Sequence, residues 1–373
     1  MSVHKATAAV VARQDAPFAL EEITIEAPRR DEVLVRVVAG GMCQSDLTAR
    51  AGRLGFPLPG VVGHEGSGVV AAVGQDVTDL APGDHVVLSF AFCGHCRPCR
   101  AGHPVYCDTW GELNFFGGRR PDGSPTLHAA RGALHGHFFG QSSFASLALA
   151  NARGVVKVPH DVPLALLGPL ACGIQTGAQT VLNVLRPGPG DTLAVFGAGA
   201  VGLSALLAAA NLTGATTYVV DVNSARLDLA TQLGAAHVVD AAADDPVESL
   251  RDLTGGRGVD LALEASGAAG VLTQAIRALA PLGRCAAVGG GGQDGEASFD
   301  IRQAIVRGIA IHGVNQGDAQ PRESIPQLID LYRRGRFPFD RLLRVYPFEQ
   351  IEQAAHDMLS GITVKPVLQM SGC

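Results

Sequence analysis

Gly63-His64-Glu65-Gly66-Ser67-Gly68, closed by Gly74 and Val77, sets an imidazole beside a carboxylate directly after the apolar run Gly60-Val61-Val62. His64 can offer a ring nitrogen to a metal, with Glu65 as a neighbouring ligand or supporting base. A histidine at the end of an apolar run is ordinarily a packing residue, so its company decides. Cys43 lies upstream in Gly41-Met42-Cys43-Gln44-Ser45-Asp46, and Cys172 lies downstream in Leu170-Ala171-Cys172-Gly173. Two thiolates, one imidazole and an open position describe a catalytic zinc rather than a structural one. Cys93, Cys96, Cys99 and Cys107 form the most specific local signal: four thiols within fifteen residues, able to wrap one tetrahedral ion. With every position filled by sulfur, that ion's role is structural. A zinc-ribbon nucleic-acid module or a redox pair fits less well, because the second half-ribbon is missing and the chain is acidic.

At 373 residues the chain is long enough for two domains, each with its own core. It is 47% hydrophobic and 17% charged, with a net charge of −6 and no basic run. That argues against nucleic acid or an acidic membrane as partner. The start, Met1-Ser2-Val3-His4-Lys5, lacks the layout of a signal peptide. Leu193 to Ala210 approaches the length of a membrane span, but Gly197, Gly199 and Gly202 interrupt it. A turn-rich Pro187-Gly188-Pro189-Gly190-Asp191 precedes it, so it reads as strand, glycine turn and helix. The expectation is a soluble, cytoplasmic protein. Its eight cysteines (43, 93, 96, 99, 107, 172, 285 and 373) favour metal over disulfides, given the C-x-x-C spacing.

The elements that must position these residues are of two styles. From Ala6 to about Phe92, short β-branched runs such as 33–38, 68–73 and 85–88 alternate with turn signals, as in a compact, largely antiparallel β domain. Between Cys107 and Ser146 aromatic residues crowd together. With Phe90 and Trp110, the pair Phe138-Phe139 suggests an apolar pocket for a flat or hydrophobic substrate. After Asp191 the pattern becomes strand–helix repeats: strands 192–196, 216–220, 237–239, 259–263, 284–288 and 309–311, and helices 200–210, 225–233, 246–253 and 271–279. Gly197-Ala198-Gly199-Ala200-Val201-Gly202 falls at a strand-to-helix turn, with Asp221 nineteen residues past its last glycine, as a dinucleotide fingerprint requires. Asp221 would accept from the adenosine ribose hydroxyls and repel a 2′-phosphate, so NAD is expected over NADP; Arg226 leaves some room for NADP. The tail reads as helices 325–333 and 351–359 and a strand 364–369 carrying Lys365, which would reach the cofactor phosphates.

The whole chain resembles the zinc-dependent medium-chain alcohol dehydrogenases, through G-H-E-x2-G-x5-G-x2-V at Gly63–Val77 and the four-cysteine lobe. Segments 137–144, 167–177 and 335–340 look most like those of benzyl (aryl) alcohol dehydrogenases. The resemblance implies an α/β two-domain fold. A GroES-like β-rich catalytic domain (1–173 and 316–373, lobe 93–107) would be interrupted by a Rossmann domain (174–315) with a doubly wound parallel six-stranded sheet, and the cleft would lie at their junction. It further implies Cys43, His64 and Cys172 as catalytic zinc ligands, with Glu65 able to exchange onto the metal. Asp46 would orient His64, and Ser45 would receive the alcohol proton. Thr176, Val201 and Val288 would line the nicotinamide, and Gln44 and Lys365 would face the pyrophosphate. Ser266, Val314 and Gln316 would complete the NAD contacts. Thr48 stands where many relatives carry a proton-relaying histidine. Two zinc ions per subunit and a homodimer or homotetramer complete the expectation. Other alcohol specificities (aliphatic, terpene, polyol or formaldehyde) and a non-catalytic zinc-binding scaffold are the alternatives.

Overall fold

The computed structural model describes residues 3–290 and 296–371, so Cys373 lies outside the described residues. The chain divides into two compact units. The first runs to Cys172 and takes in Gln320–Gln327 and everything from Leu343 on; the second comprises Gly173–Ala319 and Leu328–Leu342.

In the first unit, two sheets cover one core. Gly60–Val61, Val3–Val11, Phe18–Glu26, Leu127–Ala129 and Gly132–Leu134 lie side by side in that order, all antiparallel. The second sheet runs Val155–Lys157, His85–Leu88, Glu65–Val73, Glu32–Gly41, Lys365–Gln369 and Leu343–Pro347, with Leu147–Asn151 also paired to Glu32–Gly41. β-Branched residues at alternate positions put Val33, Val35, Val37, Ile23 and Ile25 into the core with Phe138 and Phe144. Strand register decides where the chemistry-bearing residues meet. Gly41 stands opposite both Glu65 and Val367, so the neighbouring central strands that carry or lead into Cys43, His64, Glu65 and Lys365 bring them to one end of the sheet.

The second unit holds six parallel strands. In chain order they are Thr192–Phe196, Thr216–Asp221, His237–Asp240, Val259–Glu264, Leu279–Ala287 and Ala310–Gly313, and across the sheet they run third, second, first, fourth, fifth, sixth. This doubly wound order reverses between the first and fourth strands, where such sheets open a crevice at their carboxyl ends. Helix Ala200–Leu212 is buried from Gly202 to Ala209, which explains an apolar stretch long enough to suggest a membrane span. Among the described residues no helix is long and apolar enough to cross a membrane.

The expected boundary at residue 316 is displaced. Residues 316–319 and 328–342 belong to the second unit, where Phe339 packs on Tyr332 and Phe337 with ring centroids at 4.9 and 6.1 Å. Arg336 and Arg341 also donate to the carbonyls of Asn211 and Gln232 there.

Candidate metal centre and dinucleotide cradle

Cys43, the first candidate donor, is the N-cap of helix Gln44–Arg50, and Asp46 folds back to accept from the Cys43 backbone N–H at 2.9 Å. The other carboxylate oxygen of Asp46 accepts from Gly63 N at 3.0 Å and meets His64 Nδ1 at 2.9 Å, with Asp46 and His64 both buried. A proton on Nδ1 leaves the lone pair on Nε2. Among the described residues His64 Nε2 is buried and has no hydrogen-bond partner, and a buried nitrogen left in that state costs stability unless a ligand takes it. One donor atom each from Cys43, His64, Glu65 and Cys172 lies within 4.8 Å of the others. Donors sharing one tetrahedral zinc stand roughly 3.3–3.8 Å apart, from Zn–S of about 2.3 Å and Zn–N of about 2.0 Å. Two sulfurs, one imidazole and a carboxylate at this spacing fit zinc.

The electrostatics agree. A hydrogen bond with Cys172 holds the Cys43 thiol well below its ordinary value, and the same contact, with burial, drives Cys172 well above it. The pair therefore holds a ready thiolate. Burial alone would lower His64, but the Asp46 carboxylate and then Cys43 outweigh it and place the imidazole at about 10 in the metal-free site, so a metal must displace the Nε2 proton on binding. Gly41 is required here: a Cβ on it would lie 2.0 Å from Glu65 Oε2.

Segment 138–143 supports the same histidine. Gln141, 1% exposed, donates from Nε2 to His64 O at 2.9 Å and accepts at Oε1 from Gly66 N at 3.1 Å. Phe139 stacks on the His64 ring (4.3 Å, 20°), and Phe138 meets it edge-on (5.5 Å, 87°). The expectation that Phe90 and Phe138 line an open pocket is corrected, because both sit fully enclosed in the core. Phe139 is buried too, its face against His64, and the partly exposed aromatic residues around it are Phe115 at 5.1 Å and Trp110 at 6.3 Å.

Lys365 is a second correction. Its Nζ is buried, donating to Glu65 Oε1 at 2.6 Å and Met42 O at 3.1 Å, rather than standing free for a phosphate. The register that brings Lys365–Gln369 beside Gly41 aims the ammonium at the Glu65 carboxylate, which is the stronger partner in a buried setting. Gln44 is exposed on the first helical turn, and Ser45 Oγ lies 4.0 Å from Cys43 Sγ. Thr48 donates to Gln44 O at 2.8 Å, so its hydroxyl is committed to its own helix.

The four-cysteine lobe is drawn together with Sγ–Sγ distances of 4.0 Å for Cys93–Cys99 and 3.9 Å for Cys96–Cys107, against about 3.8 Å across a tetrahedral ZnS4 centre. Burial raises the Cys93 thiol, but the N–H groups of His95 and Cys96 overcome it and hold it at about 6. Thiolate stabilisation by backbone amides suits a metal-bound sulfur.

In the second unit, the glycine turn divides its labour. Gly197 has φ +97°; Gly199 has open space where a Cβ would stand; a Cβ on Gly202 would lie 1.8 Å from Gly197 O. These are the tight turn, the close approach for a pyrophosphate and the close helix–strand packing of a dinucleotide cradle, and Ala200 and Val201 open the helix behind it. Asp221 ends the second strand and accepts from Ala198 N at 2.5 Å and Asn223 N at 2.8 Å. Arg226 lies on the next helix, Ser224–Gln232. Ser266 borders Gly197, Val288 N donates to Glu264 O, Val314 N donates to Ala287 O, and Thr176 Oγ1 donates to Gln316 Oε1 at 3.5 Å. Sequence reasoning missed Gln141 and Glu264. Glu264 is buried and accepts at Oε1 from Ser266 N and Oγ and from Gly267 N, fixing the loop against the glycine turn. A carboxylate closing an apolar strand ahead of Ala-Ser-Gly was its only signal.

Sheet order, glycine cradle and a Cys–His–Cys donor set define a zinc-binding oxidoreductase of two-domain build. Residues 29–160 match the alcohol dehydrogenase GroES-like domain, and residues 200–334 match the zinc-binding dehydrogenase family. A geraniol dehydrogenase from Castellaniella defragrans is 44% identical over 97% of each chain. An alcohol dehydrogenase zinc-binding domain protein from Burkholderia ambifaria superposes with a TM-score of 0.96 at 50% identity, covering 99% of each chain. Benzyl alcohol dehydrogenase from Acinetobacter calcoaceticus gives 0.95 at 45% identity, covering 99% of this chain and 100% of the other. The chain belongs to the zinc-dependent medium-chain alcohol dehydrogenase family, with the GroES-like and Rossmann folds that the sequence implied.

Proposed function

We propose that this alcohol dehydrogenase reversibly oxidises a primary aromatic or hydrophobic allylic alcohol to the aldehyde, with NAD as hydride acceptor. The observation that carries this reading is the aromatic group of Phe115 and Trp110 around Phe139, whose ring stacks on His64 of the Cys43–His64–Cys172 donor set. A flat or unsaturated carbon skeleton packs on such rings, whereas a polyol would leave hydroxyls unpaired against them. Similarity to a geraniol and a benzyl alcohol dehydrogenase supports the same substrate class.

We assign one zinc to Cys43, His64 and Cys172 and a second to Cys93, Cys96, Cys99 and Cys107, in a homodimeric or homotetrameric enzyme. When bound, the zinc supplies a Lewis acid that lowers a hydroxyl pKa, and NAD supplies the hydride acceptor. Asp46 holds His64 in the ligating tautomer. Ser45 takes the alcohol's proton at Oγ, and the relay does not continue through Thr48, whose hydroxyl is spent on Gln44 O. Asp221 selects NAD by repelling a 2′-phosphate.

A panel of benzyl, cinnamyl, geranyl, aliphatic and polyhydric alcohols, run with NAD and with NADP, tests the proposal. Highest kcat/KM for the aromatic and allylic members with NAD is expected. A preference for short aliphatic alcohols or polyols would overturn the substrate class, and a clear NADP preference would overturn the role of Asp221.

A further inference from the structure

We propose that Phe139 is a positioning residue for His64. Its ring, fixed by a left-handed backbone, holds the imidazole in the plane that aims Nε2 at the metal. The inference rests on the metal assignment above and adds to it a determinant outside the ligand set.

Phe139 has φ 50° and ψ 31°, a region that bulky residues enter only when their surroundings impose it. The surroundings here are specific. On one side, Ser142 Oγ accepts from Phe138 N at 2.9 Å and donates to Val61 O at 2.5 Å. On the other, the Gln141 amide is bound to His64 O, Leu88 O, Ser89 O and Gly66 N. Between them Gly140, φ 68°, passes so close to Ala91 that a Cβ would stand 2.7 Å from the alanine methyl. The loop is therefore tied at residues 138, 141 and 142, and the Phe139 ring is left one place to go.

That place is flat against His64, at 4.3 Å and 20°. Phe115 and Phe138 pack edge-on to the Phe139 ring, at 5.1 Å and 84° and at 5.0 Å and 77°. The imidazole is thereby held at Nδ1 by Asp46, on one face by Phe139 and by the edge contact with Phe138. Turning the imidazole about its Cβ–Cγ bond would break the stack and the Asp46 hydrogen bond together, so Nε2 keeps one direction. A metal-bound imidazole is electron-poor, and an aromatic face stacked on it is electrostatically favourable. A residue serving only as a hydrophobic wall needs neither the parallel ring nor the strained backbone that delivers it.

The test uses the zinc-loaded full-length enzyme and variants Phe139→Leu, Phe139→Asn and Phe139→Tyr. Asparagine tolerates the left-handed conformation, so it decides the matter if the leucine variant does not fold. Zinc transfer to a chromogenic chelator and the visible spectrum of the cobalt(II)-substituted enzyme are the readouts. The leucine and asparagine variants should release the ion of the Cys43–His64–Cys172 site about tenfold faster, in the range found for residues that orient metal ligands. They should also shift the cobalt ligand-field bands. The tyrosine variant, which keeps the ring, should behave as the parent, and the fraction held by the four-cysteine lobe should be unchanged throughout. Parent-like release and spectra in both ring-less variants would overturn the proposal and leave Phe139 a wall. A parent enzyme that holds only the lobe's ion would overturn the metal assignment itself, a result seen before any variant is made.

Discussion

Asp46 shows how much one carboxylate can fix. It accepts from the backbone of two segments and from the ring of His64 while itself fully buried. Asp46→Ala should lower the affinity of the Cys43–His64–Cys172 site for zinc about 10–100-fold. Chelator competition measures this, and an unchanged affinity would show that other contacts suffice to orient His64. The donors themselves were legible, because thiolate and imidazole chemistry identifies them wherever they stand. The fate of Lys365 was not: its carboxylate partner lies 300 residues away in sequence, and only the pairing of strand Lys365–Gln369 with Glu32–Gly41 brings them together.

Two elements carry separate stability predictions. The cysteine lobe is closed by a short chain segment, Cys93 to Cys107, whose amides already stabilise the Cys93 sulfur. Cys96→Ser should lower Tm and remove one zinc per chain by elemental analysis, and unchanged values for both would contradict the structural role. The loop ahead of hairpin Leu127–Leu134 is anchored by Arg120, which forks onto Glu32 at 2.7 and 2.9 Å, reaches Glu26 at 2.5 Å and donates to Pro125 O at 3.3 Å. Arg120→Met strands the buried Glu32 carboxylate and should cost about 3–5 kcal/mol in chemical denaturation. Burial would raise Glu26, but its bond to Arg120 holds it below 4.5. A depressed carboxylate pKa gives stability that is full above the ordinary range and lost as pH falls through the folded value. The parent should therefore lose stability on acidification below about pH 4.5, and by more than Arg120→Met, in which only His128 still lowers Glu26; parallel pH titrations of the denaturation midpoint check this. Nothing in the composition of residues 117–135 marked this network, since its acids come from strands Phe18–Glu26 and Glu32–Gly41.

At the scale of the molecule, the two metal sites should separate on chelation. As proposed, the first would draw its ligands from positions 43, 64 and 172, the second from a single lobe. Dialysis against a chelator should first abolish alcohol oxidation with the circular dichroism spectrum intact. Forcing out the lobe's ion should then lower Tm. Loss of secondary structure together with the first ion would mean that the Cys43–His64–Cys172 site also holds the fold.

The sequence alone determined the parallel strand–helix alternation, the glycine turn with Asp221 behind it, and both donor sets. Each of these rests on local periodicity or on the intrinsic chemistry of a side chain, neither of which needs a partner to be recognised. Strand Val3–Val11, the assignment of residues 328–342 to the second unit, the burial of Phe90 and Phe138, the Glu65–Lys365 pair and the stacking of Phe139 on His64 were decided only by tertiary structure. All depend on register and packing between segments distant in the chain, where the free energy lies in what a residue meets rather than in what it is.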